Sequence, residues 1–229
     1  MRILLVVETF DAIGGVQEVV YRLAAEFTRR GHTVAVATDP KTRRGRPAAS
    51  FVGRMRDGFE VFTLRFENSR PATWRHPERI LRNALVARAS PFASLVRRWR
   101  PSIVSAHIWN WDLYPPIEAT CRVARVPVTF SLHGFGGAGS MGGAALACLA
   151  NVAAVIANSR GTRDAFATVE PSVKDAHVII GGVDVEAAER AEPVRRERPY
   201  LFCASRIELR YKRFDLLLGA FREVTLSHP

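Results

Sequence analysis

Residues 2–38 read RILLVVETFDAIGGVQEVVYRLAAEFTRRGHTVAVAT, and the succession of hydrophobic periods in them decides the fold class. After Arg2 the run Ile3 to Val7 is continuously apolar, as expected of a parallel strand covered on both faces. Gly14 and Gly15 follow a short loop. Val16, Val19, Val20, Leu23, Ala24 and Phe27 then recur at helical spacing, with Gly31 placed to cap the helix C-terminus. Residues 33–38 supply a second strand. Strand, glycine turn, amphipathic helix and strand make a βαβ unit, whose crossover is right-handed in almost every case.

The alternation continues outward from this unit. Residues 39–58 are polar, basic and rich in Gly and Pro, and read as a loop. Residues 59–66 alternate as an edge strand does. Residues 77–99 form an amphipathic pattern interrupted at Pro91. Residues 103–106 read as a short buried strand, 117–125 as a helix and 128–132 as another strand. A glycine-rich stretch, 133–143, opens a helix of small residues. Residues 152–157 are a strand, Ser159 is a helix N-cap for a segment reaching about residue 168, and 177–180 form the next strand. The economical topology for this order is an α/β, doubly wound, Rossmann-like parallel sheet.

Residues 186–198 are charged and read as a linker. Residues 200–204 read as a buried strand, and 214–224 as a helix with Leu217, Leu218, Phe221 and Val224 on its apolar side. One strand and one helix cannot enclose a core, so they open an incomplete second α/β domain. The expected division is a first domain at 1–185, a linker at 186–198 and the start of a second domain at 199–229.

Composition narrows the class further. With 48% hydrophobic and 24% charged residues in 229, disorder as the main state is excluded. Cys121, Cys148 and Cys203 contain no CxxC, so neither a zinc knuckle nor a redox pair is present; they read as reduced, buried thiols. The longest apolar stretch, 144–157, is too short to span a bilayer and contains Asn151. The net charge is +11, and it resides in residues 41–100, which hold 15 basic and 4 acidic residues. Such a face attracts nucleic acid, anionic lipid or phosphorylated ligands. No zinc-finger spacing or RNP-like strand pair accompanies it, so nucleic acid is set aside as a partner. Arg79, Arg82, Arg88, Arg97 and Arg98, with Trp74 and Trp99 at a headgroup boundary, would suit an anionic membrane surface. A solvated arginine-rich surface explains the same residues.

Ligands of an open α/β sheet bind beyond the carboxyl ends of its strands. After the first strand, Gly14 and Gly15 lead into a helix N-terminus that can receive a phosphate or sugar oxygen, or simply make a turn. After residues 103–106 come His107, Trp109, Asn110, Trp111 and Asp112. Indoles stack on sugar rings and Asn and Asp read hydroxyls, but the same residues also serve as core aromatics and a structural histidine. After residues 128–132 come His133 and Gly134, and Gly134, Gly136 and Gly139 fit G-x-G-x-x-G. The dinucleotide fingerprint belongs after the first strand of its unit with an acid about 20 residues on, so that reading is rejected. His133 at the strand tip suits ligand contact or acid–base work. There is no G-x-x-x-x-G-K-[ST], G-x-S-x-G, HExxH or D-x-D; Asp184-Val185-Glu186 is the nearest to the last. Arg206 and Lys212 flank a strand–helix turn. They can hold a diphosphate there or form a solvated basic turn.

Taken together, the residues resemble the retaining glycosyltransferases of the GT-B fold, family 4. Residues 1–38 resemble the family's start, including Gly14-Gly15-Val16-Gln17. Residues 103–107 are similar to its D-[IV]-[IV]-H-x-H strand, with Ser102 in place of the acid and one histidine retained. Residues 127–134 resemble P-x-V-x-T-x-H-G. Residues 152–164 resemble the A-D-x-[IV]-I-A-x-S segment that contains Ser159. Gly181-Gly182-Val183-Asp184 resembles P-N-G-V-D, and residues 205–212 resemble G-R-[LI]…K-G.

The resemblance implies transfer of a sugar from a nucleotide-sugar donor to a glycan, lipid-linked or small-molecule acceptor, with retention. It implies no cofactor and no bound metal, an acceptor-binding first domain and a donor-binding second domain. Carried over by motif, Arg206 and Lys212 would neutralise the donor diphosphate and His133 would lie near the transferring sugar. Gly14, Gly15, His107, Asn110, Gly134 and Ser159 would bind donor or acceptor. The family's acidic E-x7-E segment lies farther along than residue 229, so this chain alone is expected to transfer no sugar. The expected location is the cytoplasm, including the inner membrane face. The alternatives are a non-catalytic saccharide- or partner-binding domain and a nucleotide-sugar epimerase of the same fold.

Overall fold

The structure is a computed structural model, and it describes residues 1–10, 14–39, 52–64, 66, 85, 87–134, 143–183, 185–192, 200–204 and 212–227. The described elements run β1 (Arg2–Val7), α1 (Gly15–Arg29), β2 (Thr33–Thr38), β3 (Val52–Arg56), β4 (Phe59–Thr63), α2 (Pro91–Trp99), β5 (Ile103–His107), α3 (Tyr114–Ala124), β6 (Val128–Leu132), α4 (Gly143–Leu149), β7 (Ala154–Ala157), α5 (Arg160–Ala167), β8 (His177–Val178), α6 (Val185–Arg190) and α7 (Phe214–Ser227). Two compact units divide the chain, Met1–Gly182 and Val183–Pro229.

The first unit holds one sheet in the order β3-β4-β2-β1-β5-β6-β7-β8. Seven strands are parallel, and β3 alone runs antiparallel, against β4. Strand order therefore reverses between β1 and β5. This is the switch point at which doubly wound sheets open a crevice, because the loops on its two sides leave in opposite directions.

Both faces of the sheet are covered, which explains why β1 is apolar at every position from Ile3 to Val7. On one face Ile3, Leu5, Val7, Val34, Val36, Phe59 and Val61 pack with Val20 and Ala24 of α1. On the other, Leu4, Val6, Val104 and Phe130 pack with Phe92, Leu95 and Trp99 of α2 and Tyr114, Ile117 and Cys121 of α3. Leu4 and Leu5 are fully buried on opposite faces. Truncating either to Ala costs on the order of 2–5 kcal/mol, the usual range for a buried leucine.

Local signals place the helix ends. Ser90 accepts a hydrogen bond from the Ala93 amide at 3.1 Å, with Pro91 in the first turn, so the interruption expected at Pro91 is a helix start. Ser159 accepts from the Thr162 amide at 3.0 Å and starts α5 as expected. Arg100 and Arg125 take left-handed conformations as α2 and α3 end.

The structure corrects several expectations. Residues 39–58 are not all loop: 52–56 form β3, and Asp57 and Gly58, both at positive φ, turn the chain into β4. Because β3 pairs outside it, β4 is not the edge strand. Trp99 is buried at 6% exposure, with the Arg2 guanidinium 4.4 Å from its ring centroid, so it cannot sit at a headgroup boundary. Cys203 is exposed, whereas Cys121 and Cys148 are buried and their thiols are pushed up to about 12, chiefly by burial.

In the second unit, residues 200–204 are exposed and form no strand, contrary to the reading as a buried strand. A strand exists through ladder hydrogen bonds and face-to-face burial, and no partner strand occurs among the described residues of this unit. Part of the expected linker is helical, as α6. The helix α7 forms where expected and exposes Leu216, Leu217, Leu218, Phe221 and Val224.

Candidate functional site

The carboxyl ends of β1, β5, β6 and β7 and the segments that leave them carry every candidate residue of the first unit. Gly14 and Gly15 open α1. His107 ends β5 and Asn110 follows it, His133 and Gly134 follow β6, and Ser159 follows β7. A Cβ built on Gly15 or Gly134 meets nothing within 4 Å, so neither glycine is dictated by packing. Gly14 differs, since a Cβ there would meet the Gln17 carboxamide oxygen. The Gln17 amide in turn donates to Thr9 Oγ1 at 2.9 Å, tying the first turn of α1 to the end of β1.

The centre of the site is a pair of imidazoles. His107 Nδ1 and His133 Nε2 lie 2.9 Å apart, with ring centroids at 5.1 Å. The other nitrogen of His107, Nε2, lies 3.1 Å from Ser105 Oγ, and Ser105 Oγ accepts the Thr129 hydroxyl at 3.0 Å. The sheet explains this row. Ser105 and His107 are two apart on β5 and share a face, as do Thr129 and Ser131 on β6, and the register sets Ser105 beside Thr129. His133, two residues beyond Ser131, reaches back to His107.

Burial holds both rings neutral. His107 is 3% exposed, and desolvation, then the adjacent His133, lower its pKa to about 3. Desolvation also lowers that of His133, which is only partly buried. A neutral pair carries one proton between its facing nitrogens, so it can donate to or accept from a ligand without bringing net charge into the site.

Glu8 closes the switch point. Its carboxylate Oε1 accepts the backbone N–H of Trp109 at 2.8 Å and also that of Asn110. The loop after β1 thereby holds the loop after β5. Asn110 Oδ1 accepts the Asp112 amide at 3.1 Å and starts the short helix Trp111–Leu113. The two indoles of this loop part ways: Trp109 is 43% exposed, while Trp111 packs against Tyr114 and Phe166. Sequence reasoning missed Glu8. The available signal was an acidic residue immediately after a strand at the point where strand order reverses.

Ser159 is engaged in the fold. Its hydroxyl caps α5 and donates to Thr162 Oγ1 at 3.0 Å. Lys212 belongs to the second unit and is exposed; Arg206 lies outside the described residues. Among the described residues no group of three or more His, Cys, Asp or Glu side chains is gathered as a metal site, and no helix is long and apolar enough to cross a membrane.

This sheet, with its switch-point crevice, is the Rossmann-like domain of the GT-B glycosyltransferases, and solved structures of that class share it. Anabaena Alr3699/HepE in complex with UDP superposes with a TM-score of 0.51 at 17% identity, over 81% of this chain and 45% of that one. The catalytic domain of Arabidopsis thaliana starch synthase IV bound to ADP and acarbose gives 0.51 at 14% identity, over 81% and 52%. A glycosyltransferase from Rickettsia africae gives 0.51 at 14%, over 84% and 46%. This chain thus spans about half the length of each of these three structures. The chain belongs to Glycosyltransferase Family 4, whose family model matches residues 13–187. No curated protein matches it.

Proposed function

We propose that the protein transfers a sugar from a nucleotide-sugar donor to an acceptor hydroxyl, with retention of anomeric configuration and without a bound metal. In this reading the bond between the anomeric carbon and the donor diphosphate breaks, and its electron pair leaves with the nucleoside diphosphate. The acceptor oxygen bonds to the same carbon, and its proton passes to the departing diphosphate. The observation that carries the proposal is the neutral His107–His133 pair at the carboxyl ends of β5 and β6, beside the switch point, in a chain of this family. The nucleotides in the HepE and starch synthase IV structures support a nucleoside-diphosphate donor.

Each candidate then has a task. The first unit binds the acceptor, with Gly15 and Gly134 admitting close approach of the ligand to the backbone and Gly14 making room for Gln17 in the turn that leads into α1. His133 donates to a hydroxyl of the transferring sugar, Trp109 offers an exposed indole face, and Asn110 reads a hydroxyl. Arg206 and Lys212 of the second unit compensate charge on the leaving diphosphate. One preorganised cation there supplies roughly 2–4 kcal/mol of transition-state stabilisation.

The test is a transfer assay of the natural protein with a panel of nucleotide sugars and acceptors, comparing wild type with His133→Ala. Donor-dependent glycosylation that falls by a factor of about 10² or more in the variant supports the reading. Saccharide binding without transfer, in a protein confirmed to be folded, would replace it with the non-catalytic alternative.

A further inference from the structure

We propose that Ser105, acting through the buried His107, fixes the tautomer of His133 so that this residue presents Nδ1–H to the ligand. The inference deepens the functional reading in one respect, taking from it that His133 faces the substrate; the proton arrangement itself is a property of the unliganded protein.

The argument follows the hydrogen bonds outward from the sheet. Thr129 donates its hydroxyl proton to Ser105 Oγ across the β5–β6 ladder. With a donor already directed at its oxygen, Ser105 has its own hydroxyl proton to place, and the acceptor 3.1 Å away is His107 Nε2. A neutral imidazole has one donor and one acceptor nitrogen, so accepting at Nε2 puts the His107 proton on Nδ1. That proton points at His133 Nε2, 2.9 Å away. His133 therefore accepts at Nε2 and carries its own proton on Nδ1, the nitrogen that the pairing leaves for a ligand. The opposite polarity reverses the whole row, with His107 Nε2–H donating to Ser105 and Ser105 to Thr129, and it would put His133 in the Nε2–H form. Two members of the row are buried, Thr129 at 8% and His107 at 3% exposure, while Ser105 and His133 are half-buried, so the row is best shielded at the imidazole that relays the proton arrangement.

Ser105 and His107 are positioning residues in this scheme, and only His133 touches substrate. What they supply is a defined donor on a side chain that could otherwise present either nitrogen in either state. The row also explains why a polar serine and threonine sit on the central strands among valines and leucines: they polarise the pair from behind.

The experiment is 15N-histidine labelling of the protein without substrate, reading two-bond ¹H–¹⁵N couplings that identify the protonated nitrogen of each ring. His107→Asn and His133→Gln identify the two spin systems among the six histidines. The proposal expects both residues as Nδ1–H tautomers in the wild type. Ser105→Ala should shift the His133 equilibrium about tenfold toward the Nε2–H form that an unconstrained imidazole favours, the worth of one hydrogen bond. Ser105→Thr, which keeps the hydroxyl, should restore the wild-type spectrum. With an active donor–acceptor pair, Ser105→Ala should lower kcat about tenfold with little change in KM. His133 as Nε2–H in the wild type overturns the proposal by itself, whether or not any variant folds. Unchanged tautomers in a folded Ser105→Ala overturn it as well. These outcomes are read without turnover, so they stand apart from any failure to find sugar transfer.

Discussion

His107 is buried with both ring nitrogens bonded, and that couples the site to the stability of the fold. Its folded pKa of about 3 lies below the unfolded value near 6.5. The neutral ring is thus favoured in the native state, and the stabilisation is complete above the unfolded pKa. As the pH falls below about 6.5 the unfolded chain takes up a proton that the native ring refuses, and the loss continues down to the folded value. Between pH 7 and pH 5 this group should cost about 2 kcal/mol of unfolding free energy. Urea titrations at the two pH values should show the drop, and His107→Phe should flatten it. Glu8 gives a second residue-scale expectation. Its carboxylate accepts two backbone amides across the switch point, so Glu8→Ala should cost about 1–3 kcal/mol, measured by the same titrations. His133 was legible in the sequence because a histidine at a strand tip beside glycines marks itself. The partnership with Ser105 and Thr129 was not. Period-two spacing shows that Ser105 and His107 share a face, but only the β5–β6 register shows which residues stand beside them.

At the scale of elements, capping and turn chemistry explain where the sequence was readable and where it was overlooked. Ser159 was readable as a cap because a side-chain acceptor there satisfies an amide that the helix cannot. Ser159→Ala should lower stability by about 1 kcal/mol, seen as a shift in the urea midpoint without a change in slope. The β3–β4 hairpin was overlooked although Asp57-Gly58 is a strong two-residue hairpin signal, because the basic residues around it read as loop. Gly58 has a φ of 84°, and a Cβ there would stand 3.1 Å from Thr28 Cγ2. Gly58→Ala should therefore cost about 1–2 kcal/mol in thermal or urea unfolding, whereas Gly15→Ala, facing open space at ordinary φ, should fold normally. The segment 200–204 shows the converse. Its apolar run has the composition of a strand, but composition does not supply a partner to pair with.

At the scale of the whole molecule, the excess positive charge and the sugar-transfer chemistry are separate claims with separate tests. Residues 41–100 hold the entire net charge, and the described Arg88, Arg97 and Arg98 are exposed, while Trp99 is buried and offers no aromatic anchor. Among the described residues of this face, what is offered to a membrane is charge; Trp74 lies outside the described residues. Each arginine close to an anionic leaflet adds about 1 kcal/mol, screened beyond about 8–10 Å. Co-sedimentation with anionic vesicles at low salt, release at high salt and no binding to neutral vesicles are expected if the acceptor is presented on a membrane. Equal, negligible binding to both vesicle types would leave a soluble acceptor.

Sugar transfer with retention is the central claim, and the anomeric configuration of the product tests it most directly. The natural protein would be incubated with a nucleotide sugar of known anomeric configuration and an acceptor, and the product's anomeric proton coupling read by NMR in wild type, Arg206→Ala and Lys212→Ala. The account predicts a glycoside with the donor's configuration, and kcat/KM lowered by about 10²–10³ in each variant. A product of inverted configuration, or wild-type rates in both variants, would contradict it.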